Sequence, residues 1–426
     1  MSTSPDPVPQ STQSRRSSWV NVFAALEYPD IRVLCLSTLS NQLGQGIQQL
    51  VLGLLVWQDT ESPLMVGLVF AVRSAPNLAV GLIAGSITDR IDRRKIMTLS
   101  VWGMAAISFI LAWLFLTGSP PVWELFLAAS LLGTLQAFQM TARQTYVYDI
   151  VGTAGAVNGI ALIALGQRVG QIGGALLAGV LMGEPGAWIA FEGQGPGITF
   201  LVMGVSYVLG AFAIYYLRHA GQAAPMERES MLDNILNYFR ALRDNRVMLS
   251  LMISTAAAET FGFSHQVMLP ILAEVLGVGP LGLGFLWAAR YAGGAFGVLV
   301  LVALGGVRRR GLLLLGVLTL FGIGQILLGQ AWSLWVALIF VTMTNMMAAA
   351  SDVLHQSLLQ LSVPNQQRGR AMGSWVVGIG FAPWGQLQIG FISSITDSRV
   401  ALLINGSALV VVALVMGLVL PRLRRL

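Results

Sequence analysis

The strongest constraint on this chain is a series of long apolar runs separated by short polar connections. A helix that crosses a membrane needs about 20 mostly apolar residues. Twelve segments meet that requirement: 33–57, 64–88, 95–117, 122–145, 157–182, 198–217, 247–273, 281–304, 312–330, 333–358, 371–394 and 400–420. The runs are continuous and lack the alternation of a barrel strand. Helices also satisfy their own backbone in lipid. The expected class is therefore all-α integral membrane. Only 10% of the 426 residues are charged, against about 25% in soluble domains, which is too few to cover a soluble surface. The basic residues fall in short clusters between apolar runs, which argues against a nucleic-acid partner. The single cysteine, Cys35, lies within an apolar run and leaves no intrachain disulfide to form.

Lysine and arginine accumulate on the cytoplasmic side of a membrane protein. Of the 25 basic residues, Arg73, Arg168 and Arg290 fall inside spans and Arg399 stands alone on one side. All the others occupy the opposite, alternating set of connections. Both termini are thus expected in the cytoplasm of a multi-pass protein of the plasma (inner) membrane. Residues 1–18, rich in Ser, Pro, Gln and Thr, have the composition of a disordered tail. The first apolar run is too long for a signal-peptide core and lacks a small-residue cleavage site. The expected organisation is a cytoplasmic tail (1–30), a six-helix bundle (31–217), a cytoplasmic linker (218–246), a second six-helix bundle (247–420) and a short cytoplasmic tail (421–426). In the linker, Met231, Leu232, Ile235, Leu236, Phe239 and Leu242 recur at helical spacing, as in an interfacial amphipathic helix.

The two bundles are related to each other. At a constant spacing of 217 residues, Pro63/Pro280, Leu64/Leu281, Gly67/Gly284, Ala71/Ala288 and Arg73/Arg290 are identical, and Arg93 falls on Arg310. Span 2 thus matches span 8. Six plus six spans in parallel repeat is the layout of a transporter with its site at the repeat interface.

Residues 85–95, Gly-Ser-Ile-Thr-Asp-Arg-Ile-Asp-Arg-Arg-Lys, resemble the loop 2–3 signature of the major facilitator superfamily. Asp92 stands where many members have glycine. That variant is similar to the branch containing the enterobactin exporter and macrolide efflux proteins. Asp30-Ile31-Arg32, Leu269-Pro270-Ile271 and Val363-Pro364-Asn365-Gln366-Gln367-Arg368-Gly369-Arg370 resemble the same branch. The resemblance implies the major facilitator fold, with two pseudo-symmetric six-helix bundles. It also implies secondary active export of bulky apolar or amphipathic small molecules (a drug, siderophore or secondary metabolite) by alternating access, usually in exchange for protons. It implies further a conformational latch from Gly85, Asp89, Arg90, Arg93, Arg94 and Arg143, with Asp89 facing the partial positive charge at the start of span 11. The positive-inside rule alone also accounts for Arg90–Lys95. Two departures bear on coupling. Gln45 follows Gln42-Leu43-Gly44 where the branch often has an acid, and Gly170-Gln171-Ile172-Gly173-Gly174 lacks the Gly-Pro pair common in drug antiporters.

Span 1 carries a polar stripe. Asn41, Gln45, Gln48 and Gln49 recur at steps of three and four, so they share a helix face. Lipid cannot satisfy their amides, so the face either lines a substrate cavity, the favoured expectation, or joins helices. Charges inside a membrane are costly and usually functional. Glu259, His265, Arg73, Arg168 and Arg290 are accordingly the candidates for proton coupling or an intramembrane ion pair. Asp352 and His355, with Arg368 and Arg370, are candidates for a cytoplasmic gate. Glycine pairs four residues apart, Gly81/Gly85, Gly166/Gly170 and Gly293/Gly297, permit close helix approach.

The chain's only lysine, Lys95, has no P-loop around it, which argues against an ATP-driven pump. His219, His265 and His355 are too scattered to ligate a metal, and there is no G-x-S-x-G elbow. No cofactor, metal or enzyme activity is expected. The expected partners are a small-molecule substrate, the lipid bilayer and, if coupling is retained, protons. The expected state is a monomer. An uptake transporter of the same fold and a non-transporting sensor or scaffold are the alternatives.

Overall fold

The structure is a computed structural model that describes residues 25–88, 91–183, 194–218, 245–304, 309–363, 368–419 and 424, without the side chains of 78–88, 152–157 and 368–372. Asp89, Arg90, most of the 218–246 linker and nearly all of both terminal tails lie outside the described residues. So do the side chains of Arg368 and Arg370 and the surroundings of Gly85. Among the described residues all regular structure is helical: α1 (Pro29–Thr60), α2 (Pro63–Thr88), α3 (Arg93–Thr117), α4 (Val122–Met182), α5 (Gly195–Tyr215), α6 (Arg246–Ala257), α7 (Met268–Val275), α8 (Gly279–Ala303), α9 (Arg310–Gly329), α10 (Leu334–Leu361), α11 (Arg368–Ile379), α12 (Ala382–Ile395) and α13 (Ser398–Val419). These build twelve spans in two pseudo-symmetric bundles. Local chemistry sets several of the starts. Asp92 accepts from the Arg94 N–H at 2.9 Å to cap α3, and Asn245 accepts from Val247 and Met248 at 3.1 Å to cap α6.

Four spans differ from a plain reading of apolar runs. Spans 4 and 5 are one helical path, α4, where a loop was expected near 146–156. The path nevertheless doubles back. In a straight helix Val147 and Gly159 would lie about 18 Å apart, yet a Cβ on Gly159 would meet Val147 Cγ1 at 3.0 Å. Tyr146, Val147 and Ile150 are buried in the turn, and Asp149 is paired with Arg93. Span 7 is broken into α6, a π turn at Ala258–Gly262, a 3-10 turn at Phe263–Val267, and α7. Pro270 explains the tightening, because it cannot donate to the Gln266 carbonyl and its ring crowds that group. Span 11 is broken between α11 and α12, with Pro383 in the first turn of α12. The two breaks pack together. A Cβ on Gly385 would lie 2.5 Å from the Thr260 carbonyl and 2.8 Å from that of Glu259.

The halves meet along two helix pairs related by the sequence repeat. Gly67 on α2 abuts α12, where a Cβ would sit 2.4 Å from the Gln386 carbonyl and 3.2 Å from Gly390 Cα. Its counterpart Gly284 on α8 abuts the second half of α4, at 2.9 Å from the Ala175 carbonyl and 3.0 Å from Gly179 Cα. Both crossings lie toward the end of the bundle opposite Arg93, Arg94 and Arg310, the far end. Trp57 and Glu274 bond across the same end, and Phe70 and Trp287 lie with ring centroids 6.2 Å apart. At the basic end, hydrogen bonds and ion pairs among the described residues join elements of the same half: Arg93 to Asp149 at 2.6 Å, Arg94 to the Tyr215 carbonyl at 2.7 Å, and Arg310 to Ser357 at 3.4 Å.

Candidate substrate cavity

Moving inward from the two glycine crossings, the same helix faces turn polar. Ser74, seven residues past Gly67, donates to Gln386 Oε1 at 2.7 Å across the halves. Tyr291 stands seven residues past Gly284. Arg168 on α4 lies eleven residues before Gly179 and so on nearly the same helical face. Its guanidinium reaches to within 3.3 Å of where a Cβ would stand on Gly294 of α8. Arg73, Arg168 and Arg290 lie ten or eleven residues from their span ends, at mid-depth, and each is partly exposed. Mid-span arginines that are partly exposed between two halves mark the place where a polar cavity is expected.

Each half holds its arginine in the same way. Arg290 donates to Gln266 Oε1 at 3.0 Å. Arg73 is bonded to Gln49. The amide orientation that satisfies both groups points the Gln49 oxygen at the two terminal guanidinium nitrogens, each 2.8 Å away. Gln49 and Gln266 are separated by the repeat spacing, as are Arg73 and Arg290. Arg73 also donates to Gln136 at 3.0 Å. Arg290 lies over the Trp287 ring at 5.2 Å and the Tyr291 ring at 5.6 Å.

The span 1 stripe divides between two seams. Asn41 is 3% exposed and faces Gly210 on α5, where any Cβ would stand 2.2 Å from its Oδ1. Gln48, 1% exposed, accepts from the Tyr207 hydroxyl at 3.3 Å. Both differ from the cavity-lining expectation and join α1 to α5. A stripe wide enough to hold four amides spans more than one contact, and the neighbouring Gly44 draws α5 close. Gln45 and Gln42 accept from Gln171 on α4, at 3.2 and 2.9 Å. Gln49 alone of the stripe engages a mid-depth charge.

In the second half, Glu259 sits in the π turn of span 7, within electrostatic range of Arg290 and Asp352. Turns of this kind recur at functional sites. His265 differs from the ionisable role expected for it. Its Nδ1 meets the Gly262 carbonyl at 2.8 Å, and Asn345 Nδ2 meets its Nε2 at 3.1 Å. A ring protonated on Nδ1 and accepting at Nε2 satisfies both contacts, which makes His265 a strut across the broken segment. Asp352 accepts from Trp375 Nε1 at 2.8 Å and from Gln356 at 3.4 Å. His355 meets Ser254 Oγ at 2.7 Å. These contacts tie spans 7, 10 and 11 together within one half. Arg143 is buried, and its Nη1 has no hydrogen-bond partner among the described residues.

Gln136, Gln171, Gln266, Tyr291 and Trp375 were not singled out from sequence. Gln266 could have been, because it stands at the repeat spacing from Gln49 and one residue after the conspicuous His265.

The chain matches the family described as transmembrane secretion effector over residues 20–425. It is 26% identical over 417 residues to the enterobactin exporter EntS of Citrobacter koseri, covering 96% of each chain. It is 24% identical over 415 residues to that of Salmonella typhimurium, covering 96% of this chain and 97% of the relative. Similar solved structures include a mutant of the nucleoside transporter NupG, with TM-score 0.75, 13% identity and coverage of 92% of this chain and 100% of that one. Another is a bacterial homologue of the human lysosomal transporter Spinster, with TM-score 0.67, 14% identity and coverage of 92% and 95%.

Proposed function

The chain belongs to the transmembrane secretion effector family of the major facilitator superfamily, and from that premise we propose that it exports a bulky amphipathic small molecule from the cytoplasm. The observation that carries this reading is the pair of repeat-related crossings, Gly67 against α12 and Gly284 against α4, which join the halves at the far end. Lysine and arginine mark the basic end as cytoplasmic. The arrangement is then inward-open, with the cavity presented to cytoplasmic substrate and the outer mouth shut. Rocking about the central contacts would open the crossings and release the cargo outward. Similarity to the enterobactin exporters supports a siderophore-sized cargo. Both walls of the cavity come from one chain, so the transport unit is a monomer in the inner membrane.

Export is driven by protons, and Glu259 is the carrier. It is the one carboxylate at mid-depth of span 7, it lies in a π turn against the break in span 11, and Arg290 offers an alternative partner when it ionises. Asp89, Arg90, Arg93, Arg94 and Arg143 form the cytoplasmic latch that closes when the outer mouth opens. Asp352, His355, Arg368 and Arg370 frame the neighbouring cytoplasmic gate.

The test is accumulation of a panel of drugs and siderophores in cells with and without the protein, with and without an uncoupler. Lower accumulation that depends on the protein and is lost with the uncoupler is expected. Higher accumulation in expressing cells would replace export by uptake.

A further inference from the structure

Three partly exposed arginines lie at one depth between the halves, and none of them forms an ion pair among the described residues. Arg73 and Arg290 are held by neutral glutamine oxygens at 2.8 and 3.0 Å. Arg168 stands against Gly294, where the missing side chain leaves room for its guanidinium. The mid-depth carboxylates act on them only at longer range, Glu259 on Arg290 and Asp352 on Arg168. Asp352 is engaged by Trp375 and Gln356, and Glu259 makes no bond to an arginine within 4 Å among the described residues. A charge at the centre of a membrane is costly, and the like charges of Arg73 and Arg168 within electrostatic range of Arg290 raise that cost. Neutral amides position Arg73 and Arg290 without a direct ion pair, so all three guanidinium groups can still take an anion in contact.

We propose that Arg73, Arg168 and Arg290 form an anion-binding site, and that the transported molecule is an amphipathic organic acid. Transport of that acid rests on the export reading, and the site itself on the placement of the three arginines. Guanidinium presents a planar fork that matches a carboxylate or a similar oxyanion in two-point contact. Trp287 and Tyr291 pack against Arg290 and are themselves buried, with Phe70 behind Trp287, so they back the Arg290 guanidinium with apolar surface and leave the arginines as the polar groups a ligand meets. The repeat-related pair Arg73 and Arg290 belongs to opposite halves, so a bound anion also bridges the two bodies that must rock.

The experiment uses the full chain in lipid nanodiscs and a matched pair of probes, 2-naphthoate and its neutral isostere 2-naphthamide. Binding is read from tryptophan fluorescence and from protection of arginines against phenylglyoxal, located by mass spectrometry. Expected is at least about tenfold tighter binding of the acid, with the acid alone protecting Arg73, Arg168 and Arg290. Arg290→Gln and Arg168→Gln should each remove most of that preference, and Arg290→Lys should retain part of it. Equal responses to the two probes, no response to either, or no labelling of the three arginines overturns the anion site. The wild-type acid-to-amide comparison needs no variant to fold. Transport is scored separately in cells. Acid preference without any export would sink the export reading and keep the site. Undiminished export of a neutral compound by Arg290→Gln, with no acid preference in wild type, would do the reverse.

Discussion

Trp57 donates its indole N–H to Glu274, the residue that occupies its own position in the second half of the chain. A residue that meets its own repeat counterpart lies on the axis relating the halves. The pair therefore pins the far end where the axis relating the two bundles emerges.

Removing that pin should loosen the outer mouth. The bond is exposed at the rim, so it is worth about 1 kcal/mol, near the low end for bonds to a charged group. Trp57→Phe, which keeps the ring and deletes the donor, should lower the closed-to-open ratio about fivefold. Spin labels at the exposed positions Asp59 and Val275 would read it as a gain in the longer distance. Glu274→Gln should have a smaller effect, because its amide oxygen still accepts. Unchanged distances in Trp57→Phe would mean that the crossings alone hold the mouth shut.

The crossings give a graded prediction. A methyl on Gly67 would stand 2.4 Å from a backbone carbonyl, whereas one on Gly284 would stand 2.9 Å from its own. Backbone cannot yield as a side chain can, so overpacking of about 1–3 kcal/mol falls on the closed state. Gly67→Ala should shift the protein toward the outward-open form and slow export more than Gly284→Ala does. Cysteine labelling from outside at position 71 should rise in the same order.

Asn41 and Gly210 are a lock and its clearance. Gly210→Ala drives a Cβ to within 2.2 Å of Asn41 Oδ1 and should cost about 1–3 kcal/mol, seen as a lower thermal midpoint of the purified protein. Asn41→Ala in the same background should restore most of the loss, since it removes the obstructing atom. Absence of rescue would show that the α1–α5 seam is tight for another reason.

Twelve apolar runs made the spans legible in sequence, and the repeat of Gly67 and Arg73 in Gly284 and Arg290 pointed to the two-fold architecture. Breaks in spans 7 and 11 were not legible as breaks, because hydropathy does not register a lost backbone bond. Pro270 and Pro383, read for their missing N–H groups, would have flagged both. The polar stripe of span 1 was visible, but its division between α4, α5 and Arg73 was not. Helical periodicity gives a face and not the identity of the helix that covers it. Arg73, Arg168 and Arg290 stood out singly, whereas their convergence at one depth required the crossing of spans from both halves.

The coupling role proposed for Glu259 gives the last prediction. Span 1 carries Gln42 and Gln45 where an acid could have stood, and the repeat counterpart of Gln42 is Glu259. One half thus has an amide fixed to Gln171, and the other has a carboxyl group in the π turn. An amide there cannot cycle a proton, whereas a carboxyl group can, if rocking moves it between Arg290 and water. Glu259→Gln mimics the protonated acid in shape and in hydrogen bonding. It should therefore fold and bind probe as wild type does while losing export driven by a pH gradient. Reconstituted vesicles separate the two properties. With an imposed gradient, wild type should concentrate substrate and Glu259→Gln should not. With equal pH on both sides and substrate on both, exchange by Glu259→Gln should continue at a rate within a few-fold of wild type. Concentration of substrate by the variant would make Glu259 a structural group and place coupling on another carboxylate, with Asp352 the next to be replaced.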